Sequence, residues 1–191
     1  MENEDRQLIR DHLAGDGKAF TCLVNKYLKP IYNFLCRITN DPATAEDLAQ
    51  ETFFKAYKNI KRYDKARKFK TWLFTIAKNS AFDYLKKKKA LNFKDLENDD
   101  GESFIYDMAE DRLLPDELLK RKELAEELDQ KLTEIPELYR TVLLLHYKED
   151  FSLAEISEVL NEPYNSVKSR DRRGLILLKR LLTESSSNAP E

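Results

Sequence analysis

Residues 151–173 read FSLAEISEVLNEPYNSVKSRDRR, and the fold turns on this stretch. Ser152 and Glu155 stand three apart, the spacing of a reciprocal helix N-cap, and Phe151 and Ile156 bracket them as a hydrophobic staple. A short helix over 153–160 follows. Asn161-Glu162-Pro163 then breaks it, because proline removes a backbone donor and disfavours helix in the residue before it. A second helix is expected from near Asn165 to about Leu182. Small Ser157, turn residue Asn161 and apolar Val167 are spaced as a helix-turn-helix requires. The second helix displays Lys168, Ser169, Arg170, Arg172 and Arg173, with Leu175, Leu178, Leu181 and Leu182 expected inward. A basic first half and a buried second half suit entry into a DNA major groove. The plainer alternative is a basic surface helix in a bundle. Cap, staple, turn and charge coincide here, and together they favour the nucleic-acid reading.

Outward from this motif the chain is helical. Pro115-Asp116 opens a helix carrying Leu118, Leu119, Leu124, Leu128 and Leu132, and Pro136 restarts one carrying Leu138, Val142, Leu143 and Leu145. Towards the N-terminus, Phe20, Leu23, Val24, Tyr27, Leu28, Ile31, Leu35 and Ile38 recur at three- and four-residue spacing over about 18–38. Pro30 inside that run is expected to kink or divide it. A shorter helix near 4–14 holds Leu8, Ile9 and Leu13. Asp41-Pro42 reads as an N-cap with proline at the first helical position, opening a helix to about Asn59 with Ala45, Leu48, Ala49, Thr52, Phe53 and Ala56 inward. Segment 61–68 has no apolar period and reads as a loop. The period resumes over 69–88 with Trp72, Leu73, Ile76, Ala77, Ser80 and Leu85. No strand alternation appears, and only 4 glycines occur in 191 residues, so an all-α fold of two small helical domains follows.

The net charge of -2 hides a segregation. Between Lys55 and Lys89 there are 13 bases against Asp64 and Asp83, whereas between Leu91 and Leu118 ten acids face Lys94 and Arg112. The basic stretch points to a polyanion partner, and the acidic one reads as a linker over 90–114. Tyr63, Phe69, Trp72, Phe74, Phe82 and Tyr84 interleave with the basic residues. Unpaired bases stack on aromatic rings while cations hold the backbone, yet aromatics at helical spacing more often serve a core. Trp72, Phe82 and Tyr84 are accordingly expected to be partly core, and Tyr63, in the loop, to be the exposed one. Asp47, Gln50 and Glu51 lie three and four apart on one polar helical stripe, which is either a solvated face or a docking face.

Three segments, AEDLAQETFFKAYKNI (45–60), FKTWLFTIAKNSAFDYL (69–85) and IPELYRTVLLLHYKEDFSLAEISEVL (135–160) with NSVKSRDRR (165–173), occur in this order. They resemble the sigma-70 family of bacterial sigma factors, in its small extracytoplasmic-function group, over about residues 5 to 182. The resemblance implies sigma region 2 at 1–89, the acidic linker at 90–114 running toward the RNA exit path, sigma region 4 at 115–183 and a flexible tail at 184–191. It implies that Asp47, Leu48, Gln50, Glu51 and Phe54 meet the β′ clamp coiled coil of core RNA polymerase, with the β flap as a further contact. It implies that Lys61, Arg62, Tyr63, Lys65, Arg67, Lys68, Lys70 and Asn79 bind the −10 element, Tyr63 and Asn79 forming a pocket for an unpaired base. Asn165, Ser166, Lys168, Ser169, Arg172 and Arg173 then fall on the −35-reading helix. Family members are often held by an anti-sigma factor, which adds one to the partners implied. The chain departs from the family pattern at Asn165-Ser166, often Gly-Thr, at Asp171, usually apolar, and at Ser157, usually Ala.

The function implied is that of an alternative sigma factor directing promoter recognition, DNA melting and transcription initiation. Two other classes fit less well. A response regulator with a similar C-terminal motif needs an α/β receiver, and residues 1–89 show no strands. A stand-alone helix-turn-helix repressor has no use for the 41–89 constellation. His12 and His146 are isolated from any nucleophile or metal partner, so no enzyme, catalytic residue, metal or cofactor is expected. Cys22 and Cys36 on one helix lie roughly 21 Å apart, too far for a disulfide. With a charged N-terminus and no apolar run of membrane length, a cytoplasmic protein without membrane insertion is expected.

Overall fold

Every well-defined helix start in the chain has a local chemical cause. The structure, a computed structural model, describes residues 2–92 and 115–187, and among these it holds eight α-helices, one 3₁₀ turn and no strand. Helix α1 spans Glu2–Leu13. Helix α2, Gly17–Thr39, starts where the Asp16 carboxylate accepts from Lys18 N and ends where Asn40 takes a left-handed conformation at φ 54°. Helix α3, Pro42–Asn59, starts on Asp41, whose side chain accepts from Ala43 N and Thr44 N. A 3₁₀ turn at Ile60–Arg62 leads through a short loop to helix α4, Phe69–Asn92. The second half comprises α5 (Pro115–Glu134), α6 (Glu137–Tyr147), α7 (Leu153–Leu160) and α8 (Tyr164–Ser187).

The core of the first half is the inner face of α2 against α3 and α4. Leu23, Ile31, Leu35, Ala45, Thr52, Leu73, Phe74 and Ala77 are fully buried, and each large apolar side chain so placed contributes about 1.5–3 kcal/mol. Pro30 neither kinks α2 into two helices nor ends it. Its lost hydrogen bond, worth about 3 kcal/mol, is outweighed because Tyr27, Ile31, Phe34 and Leu35 are buried on either side of it. In the second half Val142, Leu145, Ile156, Val159 and Val167 form the centre. Gly174 lets α8 approach α6 closely: a methyl group there would sit 3.1 Å from Leu143 Cγ.

The two halves pack on each other. Phe74 of α4 and Phe151, just before α7, meet with ring centres 5.1 Å apart. Arg37 of α2 makes a two-bond pair with Asp129 of α5, both at 3.1 Å. Buried Arg140 of α6 donates to Ile38 O, at the C-terminal end of α2, over 3.0 Å. One hydrophobic core therefore runs through both halves.

Several expectations shift. Helix α4 continues through residues 90–92, and α8 runs to Ser187, so 184–187 are helical rather than part of a tail. The remainder of the acidic segment, 93–114, and the tail beyond 187 lie outside the described residues. Leu124 and Leu175, expected inward, are 62% and 39% exposed, each lying beside the buried stripe of its helix. Cys22 and Cys36 are both free thiols. Among the described residues no helix is long and apolar enough to cross a membrane, and no group of His, Cys, Asp or Glu could hold a metal ion.

Candidate nucleic-acid interface

The helix-turn-helix forms as its sequence requires. Ser152 N donates to the Glu155 carboxylate at 2.8 Å and Glu155 N to Ser152 Oγ at 3.3 Å, closing the reciprocal cap of α7. Asn161 ends α7 in the left-handed region at φ 53°, and Ser157 Oγ bonds Glu162 O across the turn. Val167 is fully buried and anchors α8. The basic face then points away from the bundle: Asn165, Lys168, Ser169, Arg172 and Arg173 are exposed and Ser166 half-buried. Arg170, grouped with them in the sequence, instead pairs with Glu162 and braces the turn. Asp171, the departure from the family pattern, faces inward, where it meets His146 Nδ1 at 2.9 Å. Both residues serve the packing of α6 on α8.

A second basic surface lies on α3, the 3₁₀ turn and α4. Lys61, Arg62, Lys65, Arg67 and Lys68 are exposed and Lys70 half-buried. Between the helices sits an open depression of about 480 Å³ lined by Lys55, Asn59, Arg62, Trp72, Ile76 and Asn79. Tyr63 has no part in it. Only 7% of Tyr63 is exposed: its ring packs edge-on to Phe69 and 5.2 Å from Trp72, and its hydroxyl donates to Arg67 O. The expectation of an exposed Tyr63 is thus corrected. The ring closes the core under the loop, and its hydroxyl pins the loop's far side. Asn79 does face the depression, but beside half-buried Trp72 and not beside Tyr63. Two stripes could have shown this: Lys55, Asn59 and Arg62 stand four and three apart, as do Trp72, Ile76 and Asn79.

Electrostatics within this half bind its parts together. Lys55 Nζ donates to Ser80 Oγ at 2.9 Å and pairs with Glu51 at 2.7 Å. Lys78, buried beneath the α4 surface over Phe82, is pushed down from the ordinary lysine range by burial. Two pairs cross between the halves at the exit of the basic loop. Lys68 meets Glu155 at 2.7 Å, and Lys70 donates to Glu149 O while its ammonium lies 3.9 Å from the Glu149 carboxylate. Burial opposes ionised Glu155, but hydrogen bonds from Lys68 and Ser152 outweigh it and hold that carboxyl below the usual range.

On the outer face of α3, Asp47, Gln50, Glu51 and Phe54 are exposed in one stripe, with Lys58 Nζ 4.1 Å from the Phe54 ring centre. Leu48 is corrected: at 6% exposure it belongs to the core with Ala45 and Thr52 and is closed to a partner. His12 packs against the rings of Phe20 and Tyr57. Neither histidine touches a nucleophile.

Comparison with known proteins agrees with this geometry. The family model for sigma-70 region 2 matches residues 23–91, and that for sigma-70 region 4 matches residues 125–178. The ECF RNA polymerase sigma factor SigW of Bacillus subtilis is 37% identical over 96% of this chain and 100% of its own length. The RNA polymerase sigma-H factor of Pseudomonas aeruginosa is 33% identical over 88% of this chain and 89% of its own. Two solved structures share the fold. The sigma factor RpoE, in complex with the anti-sigma factor NepR from Bartonella quintana, has a TM-score of 0.73 at 20% identity, over 87% of this chain and 98% of that one. CnrH, in complex with the cytosolic domain of CnrY, has a TM-score of 0.68 at 21% identity, over 97% and 99%. An exposed basic recognition helix, a basic depression between α3 and α4 and two matching region models on one chain lead to one conclusion: the chain belongs to the sigma-70 family, in its extracytoplasmic-function group.

Proposed function

We propose that this chain is an alternative sigma factor that binds core RNA polymerase in the cytoplasm and directs it to promoter DNA. The observation that carries this reading is the presence of two separate nucleic-acid surfaces of different kinds on one chain. The face of α8 suits the edges and phosphates of duplex DNA: Arg172 and Arg173 can read guanine, while Lys168 and Ser169 hold the backbone. The α3–α4 depression suits a single base that has left the helix. Trp72 offers a ring to stack on, Asn79 offers an amide donor and acceptor to a base edge, and Lys55 and Arg62 hold flanking phosphates. Unstacking costs a few kcal/mol and aromatic stacking returns roughly 1–3 kcal/mol. The balance is close, so the depression favours DNA that is already opening.

The exposed stripe of Asp47, Gln50, Glu51 and Phe54 on α3 is the proposed polymerase face, meeting the β′ clamp coiled coil. Region 4 meets the β flap, and residues 90–114 pass toward the RNA exit path. Region 2 spans 1–89 in this reading and region 4 115–183. The role is regulatory, with neither catalytic residue nor cofactor. Because RpoE is found with an anti-sigma factor and CnrH with the cytosolic domain of CnrY, an anti-sigma factor is proposed as a further partner. Run-off transcription tests the whole reading. Purified core polymerase alone should give no discrete transcript from a set of genomic promoters, and added protein should give defined ones. Unchanged output would refute it.

A further inference from the structure

Loop 61–70 carries six cations, Lys61, Arg62, Lys65, Arg67, Lys68 and Lys70. The two at its exit do not face solvent alone. Lys68 is paired with Glu155 at 2.7 Å. Lys70 donates to Glu149 O, and its ammonium lies 4.8 Å from the Phe151 ring centre. Glu149, Phe151 and Glu155 bracket the start of α7, the first helix of the helix-turn-helix. Three contacts away from the loop hold α7 there: Phe74 on Phe151, Arg37 on Asp129, and Arg140 on Ile38 O. A carboxylate within hydrogen-bonding distance of a lysine occupies the position that a phosphate oxygen needs. Meanwhile Lys168, Ser169, Arg172 and Arg173 remain exposed on α8.

We propose that the free chain is closed by this latch, and that α7 masks Lys68 and Lys70 from single-stranded DNA until the two halves separate. Closure is selective, since it covers part of the −10 surface and leaves the −35 helix open. The masking rests on the reading of loop 61–70 as a DNA surface. The closure does not.

The test uses the full chain and a fluorescein-labelled (dT)₁₂ strand, because phosphate contacts carry no sequence information. Asp129→Arg sets two cations against each other at the latch, and the swap Arg37→Asp with Asp129→Arg restores an opposite pair. Circular dichroism confirms that each variant is folded, and small-angle scattering reads its dimensions. Asp129→Arg should be larger than wild type. It should bind the strand about 3- to 10-fold more tightly, with a salt slope steeper by about 0.7 for each further phosphate neutralised. The swap should return both readings to wild type. Unchanged dimensions would overturn the latch. Expansion with unchanged affinity would overturn the masking. Adding Lys68→Ala and Lys70→Ala to Asp129→Arg should abolish the rise in affinity while the chain stays expanded. A rise that survives those changes would overturn the assignment of the two lysines to DNA and leave the closure standing.

Discussion

Tyr63 shows what a single position can and cannot reveal from sequence. It sits among six cations in a segment without apolar period, which reads as exposed loop. Its burial comes from residues that sequence distance conceals, Phe69 and Trp72 of α4, while its hydroxyl is satisfied by the loop's own Arg67 carbonyl. Tyr63→Phe should therefore lower stability by about 0.5–1.5 kcal/mol in urea unfolding, with core polymerase binding intact. Trp72→Ala should do more to promoter opening than Tyr63→Phe does, since only Trp72 lines the depression. The cations were legible, because charge needs no tertiary context. Glu149 was not. Burial raises its pKa to about 7, with Lys70 of α4 and Arg37 of α2 opposing and Asp150 beside it reinforcing. A carboxyl raised in the closed form makes that form hold more protons than the open one. Closure should therefore be firmer below about 7 and loosen as pH rises through that value. Donor–acceptor dyes on the two halves should show their distance growing from about pH 6 to about pH 8. Glu149→Gln should flatten that response, and an unchanged pH response in this variant would contradict the assignment.

Among elements, the helix-turn-helix was legible almost residue by residue because its cap, staple and turn are local chemistry within 151–167. Arg170 and Asp171 were not, since each is claimed by a partner on another element or across the turn, Glu162 and His146. Ser152→Ala should cost about 0.5–2 kcal/mol of stability in the second half. Lys168, Arg172 and Arg173 should separate under alanine substitution. Loss of a base contact costs about 1–3 kcal/mol and relaxes one position of the −35 element, whereas loss of a phosphate contact reduces the salt slope by about one. Binding of holoenzyme to variant promoters sorts them, and indifference to all three would remove α8 from the DNA. On α3 the exposed stripe predicts that reversing Asp47 and Glu51 to Lys weakens core binding by about 2–5 kcal/mol. Fluorescence titration with core polymerase measures this, and circular dichroism should show unchanged helicity. Helical period alone puts the stripe on the exposed side of α3, which is why it could be read from sequence. Leu48 was misplaced because the resemblance ranks positions by role and ignores which side of the helix is buried.

At the scale of the molecule, the fold class and the order of the helices followed from period, caps and prolines. The packing of one half on the other did not. It depends on Arg37 with Asp129, Arg140 with Ile38 O and Phe74 with Phe151, pairs separated by many tens of residues and carrying no local pattern. Segregated charge gains a structural meaning here: acids of the second half sit on cations of the first, where DNA is proposed to bind. The central claim is that holoenzyme opens promoter DNA by seating one base in the α3–α4 depression. Permanganate footprinting of the start-site region reads it most directly. Wild-type protein with core polymerase should make bubble thymines reactive, and core alone should not. Trp72→Ala and Asn79→Ala should suppress that reactivity on duplex promoters, recover it partly on premelted templates and bind core normally. A normal bubble in both variants would contradict the account.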